Sequence, residues 1–523
     1  MRGVNAAGLL LIASVLAGCG VNPVTHEREI QFVSEEQEIQ LGEQNYAPTR
    51  QSEGGDLEVM PEITAYINEV GQKLAAVSDR KLPYEFTVLN NSVPNAWALP
   101  GGKIAVNRGL LTALDNESEL AAVLGHEVVH AAARHGAKAQ ERGTIMQAGL
   151  AVAQVGMAVG GMDAGVANLV VQGAGAGAQM IQMKYGRDQE LEADKYGMKY
   201  MKLAGYDVQG AVTLQETFVR LFDQGAKQQS WLDGLFASHP PSQERVDENK
   251  RTAQELGGGG EVGQQRYAAQ IKPLLDAKPA YDKFDQAQAA AGQKDYKKAK
   301  ALATEASKML PQEGRFQEFL GEVAIAQKQP KQALGYFEKA TQLNPNYFGS
   351  YLGAGVANLQ TGNKAEAEAL LKRSAQLLPT APAAFYLGNI ARDRGDANAA
   401  MQYYQVAATS NSYIGKDAAA EFVRLDLPQN PDKYVAAMAQ VDAQGQLIVI
   451  VENRAPVPIS DLQLTPVIVN AAGNIVRQGS PVHVRGPLKP GERASAKAGA
   501  GVPPAQLPNI RVRVDGASVT SKQ

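Results

Sequence analysis

Pro311, Pro345 and Pro379 recur every 34 residues, and Ala299, Ala333 and Ala367 keep the same step. Gly321 and Gly355 follow it too, with Gly388 one residue short. A registered period of this length restricts the fold to stacked supersecondary units, because one unit cannot bury its apolar face alone and needs a neighbour to cover it. Small residues fall where two helices cross closely, and proline falls where the second helix of each pair stops.

That period and residue use are those of tetratricopeptide helix pairs. Residues 265 to 425 therefore read as an α-helical tetratricopeptide solenoid, whose concave face suits extended peptides or partner proteins; a purely structural array is the alternative. At 523 residues the chain has room for three or four domains at roughly 150 residues each. Gly257 to Gly260 open a segment, 257 to 264, that composition alone marks as a flexible linker. From about 430 the pattern becomes alternating and β-branched, as in "GQLIVIVENRAPVPISDLQLTPVIVNAAGNIV", and residues 430 to 523 are expected to form a small β-sandwich. His483 stands alone there and reads as structural. A formal charge of −3 and the lack of a long basic run give no footprint for nucleic acid.

At the other end, Arg2 precedes "AAGLLLIASVLAGC", an apolar run too short for a comfortable membrane span that ends in small residues before Cys19. Residues 1 to 19 read as a secretory signal, and Leu-Ala-Gly-Cys resembles the bacterial lipobox. Cys19 is the only cysteine. An exported chain ordinarily uses cysteines in disulfides, so a single one at this position is expected to be a lipidation site. Gly20, where an inner-membrane lipoprotein would carry Asp, points to the outer membrane.

The chemistry concentrates in "VLGHEVVHAAARHG", residues 123 to 136, which holds three of the six histidines. Asn116 with Glu119 resembles a capping box, Leu120, Val123, Leu124 and Val128 supply apolar positions, and Gly136 offers a stop, so a helix is predicted. His126 and His130 lie one turn apart on one face, with Glu127 rotated by about 100° beside them. This is the HExxH arrangement. Neutral imidazoles suit zinc, zinc acidifies bound water, and the glutamate can move that water's proton. Two histidines leave a zinc site incomplete. His135 is misplaced for the third ligand, because HExxHxxGxxH would need Gly at 133 and His at 136. Downstream, "YGRDQELEADKYG" offers Glu190 and Asp194 one turn apart, one to bind metal and the other to hold a ligating histidine's free N–H. Spacing cannot choose between them, and Glu192 points elsewhere.

HExxH followed by a helix with Glu190, Ala193 and Asp194 resembles the CAAX-prenyl-protease and HtpX-type zinc metallopeptidases, and within them the BepA-like periplasmic branch with tetratricopeptide repeats. The resemblance spans roughly residues 30 to 250. It implies a mostly α gluzincin-like metallopeptidase domain with a small β-sheet, at 20 to 256. It implies one zinc held by His126, His130 and Glu190, with Glu127 as general base and Asp194 behind the ligands.

In "NAWALPGGKIAVNRGLL" a turn at Pro100, Gly101 and Gly102 precedes a short strand. The resemblance makes Ile104, Ala105 and Val106 the edge along which a substrate peptide lies, paired through main-chain hydrogen bonds; an internal strand is the alternative. "FASHPPSQERV" resembles the His-Pro segment after the third ligand. Its His239 would bind the oxyanion or cap the open zinc position, with Arg245 behind it. Residues 144 to 182 carry one charge, Asp163, amid Ala, Gly, Val and Met, and read as a lid over the cleft or as a packed helix pair.

The combined expectation is a lipid-anchored periplasmic zinc endopeptidase cleaving misfolded or misassembled envelope proteins. Its repeats would recruit substrates or an outer-membrane assembly machine. A chaperone or scaffold with a closed or vestigial metal site is the rival; a zinc hydrolase acting on peptidoglycan fits the compartment, but an edge-strand substrate site favours ordinary polypeptide.

Overall fold

A computed structural model describes residues 19–139, 141, 185–225, 238–442, 445–499 and 504–520. The signal segment up to residue 18 and the apolar insert at 144 to 182 lie outside the described residues. Two compact units emerge, one comprising residues 1–363 with 376–379 and the other 364–375 with 380–523.

In the first unit everything is arranged around one buried helix, Glu117–Ala132, all of whose residues are buried. Asn116 caps it, its side chain accepting the Glu119 N–H at 3.0 Å. The Glu119 carboxylate reaches the Asp115 N–H at 2.9 Å and Thr213 at 2.8 Å, so only half of the predicted capping box forms. Glu117 is fully buried and accepts from the hydroxyls of Tyr66 and Tyr206 at 2.8 and 3.0 Å. The helix stops short of Gly136, ending at Ala132, and Arg134 just beyond it takes a left-handed backbone with φ of 64°.

Helix Arg187–Leu203 crosses this helix at paired glycines. A Cβ on Gly197 would lie 3.0 Å from the Gly125 carbonyl carbon and the His126 nitrogen, so the two backbones touch. Helices Gln209–Gly225, Gln243–Leu256 and Pro61–Ala76 complete the surround.

Near the N-terminus β1 (Cys19–Val21) pairs antiparallel with β2 (Arg28–Ile30), and beside the helices lies a three-stranded sheet of β3 (Glu85–Leu89), β4 (Ala96–Leu99) and β5 (Lys103–Asn107). β5 runs parallel to β3 and antiparallel to β4, in the order β3-β5-β4. Gly101 and Gly102, at φ of 78° and 86°, make the predicted turn. The expected edge is thereby corrected: Ile104, Ala105 and Val106 sit on the central strand, bonded on both sides, and the edge towards the long helix is β4. A period of two reveals which face is buried but not which strand is outermost.

The glycine-rich segment is not a free linker. Lys202 Nζ donates to the carbonyls of Gly257 and Gly258 at 3.0 Å, and Val262 O accepts from Ser118 N at 3.1 Å. A Cβ on Gly260 would meet the Tyr206 carbonyl carbon at 2.4 Å, so this glycine permits close packing.

Helix pairs then follow as the period predicts: Lys272–Gly292 with Tyr296–Met309, and Gly314–Ala326 with Pro330–Leu343. Pro311 and Pro345 each follow a second helix, and Ala299 and Ala333 are fully buried. These repeats dock on the peptidase segment within the same unit. Arg108 lies 3.5 Å over the Tyr281 ring, Ser92 donates to Asp285 at 2.8 Å, and the Gln51 side chain bonds Asn346 O and Phe348 N at 2.7 and 2.9 Å.

The second unit holds helix pair Ala381–Asp393 and Ala397–Ala408, helix Tyr413–Asp426, and two antiparallel sheets. One sheet joins β11 (Arg493–Lys497), β7 (Leu447–Asn453) and β6 (Val435–Val441). The other is built on β8 (Ile459–Val469), with β10 (Val482–Val484) and β12 (Ile510–Val519) flanking it and β9 (Ile475–Gln478) also paired to it. Both sheets feed one apolar cluster that includes Val449, Val451, Leu462 and Leu464. His483 is exposed on β10, 3.9 Å from Asp461.

Candidate metal centre

The HExxH helix projects His126 and His130 towards Glu190 on the crossing helix, and the glycine contact holds the two elements close. Four buried donors, from His126, His130, Glu190 and His239, lie within 4.8 Å of one another. His126 Nε2 and His130 Nε2 are 2.9 Å apart, and Glu190 lies 3.6 Å from the first and 3.4 Å from the second. His239 Nδ1 is 3.3 Å from His126 Nε2 and 3.1 Å from Glu190 Oε1. A tetrahedral zinc at about 2.0–2.1 Å from its nitrogens separates neighbouring ligand atoms by roughly 3.3 Å, which these spacings match. Three imidazoles and a carboxylate suit zinc chemically as well.

Behind the donors stands a fixed carboxylate. Asp194 Oδ1 faces His126 Nδ1 at 2.8 Å. Arg245 grips Asp194 with Nε at 2.7 Å and Nη2 at 2.8 Å, and its Nη1 reaches Glu190 at 2.8 Å. The spacing left Glu190 and Asp194 interchangeable; in the folded chain only Glu190 faces both imidazole Nε2 atoms.

Electrostatics follow from burial and these contacts. Burial alone would raise the Asp194 carboxyl, but Arg245 holds it below the usual range. Burial works against the charged Glu190 too, yet His239 and His126 beside it bring it well below. Burial drives His130 well below the usual histidine range, which keeps a ligating imidazole neutral. Glu127 is raised by burial, with the neighbouring His239 and His126 opposing. Its Oε2 has no hydrogen-bond partner among the described residues, and its Oε1 lies 3.6 Å from His239 Nε2. It borders a cavity whose apolar lining comes from Leu110, Val123, Met201, Leu214 and Phe218, with Ala96 of β4 among the lining residues.

Three residues here were not singled out as functional from the sequence. Tyr185 stacks on the His130 ring at 3.9 Å between centroids. His135, set aside as a ligand, places Nδ1 2.8 Å from His130 Nδ1, and Glu192 lies 3.4 Å from its other nitrogen. Nothing in the local periodicity carries this, since His135 follows the helix end.

A buried HExxH helix, a carboxylate from a crossing helix and a catalytic-type glutamate facing a cavity define a metallopeptidase centre, here joined to helical repeats. A profile of Peptidase family M48 matches residues 61–253, and tetratricopeptide-repeat profiles match 284–348 and 324–388. The "Beta-barrel assembly-enhancing protease" of Escherichia coli (strain K12) is 31% identical over 224 residues, covering 42% of this chain and 44% of that protein. The "Putative beta-barrel assembly-enhancing protease" of Vibrio cholerae is 30% identical over 199 residues, covering 37% and 40%. The chain thus spans less than half the length of these two relatives. "Metalloprotease YcaL" of Escherichia coli (strain K12) is 30% identical over 192 residues, covering 35% of this chain and 70% of that protein. The chain belongs to peptidase family M48, whose metallopeptidases are zinc-dependent.

Proposed function

We propose that this chain is a zinc endopeptidase of the bacterial envelope that cleaves unfolded or misassembled proteins. The observation that carries the reading is the convergence of His126, His130 and Glu190 beside the unpartnered Oε2 of Glu127. Zinc, when bound there, supplies polarisation of a carbonyl and acidification of water. Glu127 is the base that takes a water proton and hands it to the leaving amine, and a carboxyl raised by burial suits a group that must both accept and release a proton near neutrality. Asp194, held by Arg245, orients His126.

The substrate backbone pairs with β4 instead of β5. Asn107 N–H donates to Asn95 O at 2.8 Å. By the alternation of an antiparallel ladder, Trp97 and Leu99 also turn towards β5, leaving the N–H and C=O of Ala96 and Ala98 on the edge that pairs with no strand among the described residues. A strand added there lies above the HExxH helix, with one side chain directed into the apolar cavity.

His239 occupies the fourth corner of the donor set, where it caps the centre at rest; a substrate carbonyl requires that it swing away. The C-terminal sheets are read as a sandwich, the repeats as the recruiting surface for substrates or an outer-membrane assembly partner, and Cys19 as the lipid anchor that holds the chain in the periplasm at the outer membrane. Support for the compartment comes from the lipobox-like Leu-Ala-Gly-Cys and from the assembly-enhancing proteases this chain resembles. Among the described residues no helix is long and apolar enough to cross a membrane.

The rival, a scaffold whose metal site is kept closed, is separated by the cap. His239→Ala is expected to raise cleavage of an unfolded protein such as casein several-fold. Glu127→Gln is expected to fail to complement a strain lacking the protein; full complementation by it would make binding the function.

A further inference from the structure

His135 has no part in the chemistry above, yet it is fully buried and touches a candidate ligand. We infer that His135 is a positioning residue for the metal centre, accepting the Nδ1–H of His130 and relaying the constraint through Glu192 to Asn22. The inference rests on the metallopeptidase reading.

The proton positions follow from the donor set. His130 turns Nε2 towards His126 and Glu190, at 2.9 and 3.4 Å. A neutral imidazole that ligates through Nε2 carries its proton on Nδ1. The group facing that Nδ1 is His135 Nδ1 at 2.8 Å, which therefore acts as acceptor. His135 then carries its own proton on Nε2, which lies 3.4 Å from Glu192 Oε1, close enough for electrostatic attraction but without a formed hydrogen bond. Glu192 Oε1 also accepts from Asn22 Nδ2 at 3.1 Å, and Asn22 is buried. Asp194 does the same for His126 Nδ1 at 2.8 Å. The two HExxH imidazoles thus each face a group on the far nitrogen, in one case a carboxylate and in the other a histidine with a carboxylate near it.

The backbone explains how a residue past the helix end gets there. Arg134 adopts the left-handed region, which an L residue occupies only when its surroundings hold it. Its guanidinium is held by the buried Glu38 and by Val33 O, the latter at 2.7 Å. The turn throws His135 back against the HExxH helix, while Tyr185 stacks on the His130 ring and limits its rotation. The relay ends at Asn22, three residues after Cys19, so the segment next to the proposed anchor bears on the metal ligand.

The test uses the intact chain with His135→Ala, His135→Asn and Glu192→Leu. Zinc affinity is measured by competition with a chromophoric chelator, cobalt(II) geometry by visible absorption, and folding by thermal unfolding of the metal-free protein. His135→Ala is expected to weaken zinc binding about 10- to 100-fold, the usual effect of losing such a partner, and to shift the cobalt bands. His135→Asn, whose Oδ1 can accept the same N–H, is expected to recover most of the affinity, and Glu192→Leu to fall between. Wild-type affinity and spectrum in His135→Ala would overturn the inference. So would His135→Asn binding as weakly as His135→Ala when both unfold like wild type. Should His135→Ala not fold, wild-type affinity in Glu192→Leu overturns it. A wild-type chain that binds no zinc would overturn the metallopeptidase reading and the inference with it; zinc in wild type with no change in the variants defeats the inference alone.

Discussion

Burial lifts both Glu127 and Glu318, and their surroundings give the lift different meanings. Glu127 faces a cavity with one oxygen unpaired, so its raised carboxyl is available for proton transfer. Glu318, on helix Gly314–Ala326, faces Arg315 Nη1 at 2.5 Å, and burial still pushes it up to about 8 against that cation. Such a group costs stability as pH rises. Between the ordinary value of 4.5 and about 8 the folded chain holds a proton that the unfolded chain has released, so stability declines across that window. Glu318→Gln is expected to flatten the decline, read as the melting temperature between pH 5 and 8; an unchanged slope would place the cause elsewhere. The HExxH residues were legible because two ligands one turn apart need only a helix. His135 and Glu192 were not, since their meeting depends on the left-handed turn at Arg134, which no spacing rule contains.

At the scale of elements, the centre depends on how closely two helices approach. Gly125 and Gly197 let helix Arg187–Leu203 touch the HExxH helix, which is what brings Glu190 to the imidazoles. Gly197→Ala adds a Cβ at 3.0 Å from backbone atoms that cannot rotate away. Overpacking of this kind costs about 1–3 kcal/mol. The variant is expected to melt lower and to bind zinc more weakly, measured by calorimetry and chelator competition; wild-type zinc affinity would separate the crossing from the site. Strand order shows the limit of reading elements in isolation. The alternation of Ile104 and Val106 marks a strand, yet pairing with both β3 and β4 makes it central, and that depends on residues 85 to 89 far upstream in the sheet.

For the whole molecule, composition suggested a flexible joint between peptidase segment and repeats, and the folded chain shows a packed one. Tyr267 is 1% exposed and donates to Leu111 O at 2.6 Å, while Asn90 donates to Glu313 at 2.9 Å. A chain cut after residue 256 loses Tyr267, whose burial is worth about 1.5–3 kcal/mol, together with these contacts. It is expected to be less stable than a chain cut after residue 363, which keeps them. Thermal unfolding of the two fragments decides this, and equal melting temperatures would contradict it. The 34-residue period was legible because stacking repeats its chemistry along the chain. The docking was not, because its contacts join residues such as Gln51 and Asn346 that share no pattern.

Zinc content and casein cleavage, measured together on the chain lacking its first nineteen residues for wild type and Glu127→Gln, decide whether Glu127 works beside a bound zinc. One zinc per chain is expected in both proteins, with cleavage in wild type abolished by a chelator and reduced about 10²- to 10⁴-fold in Glu127→Gln. A chain without zinc, or undiminished cleavage by Glu127→Gln, would contradict the metallopeptidase reading.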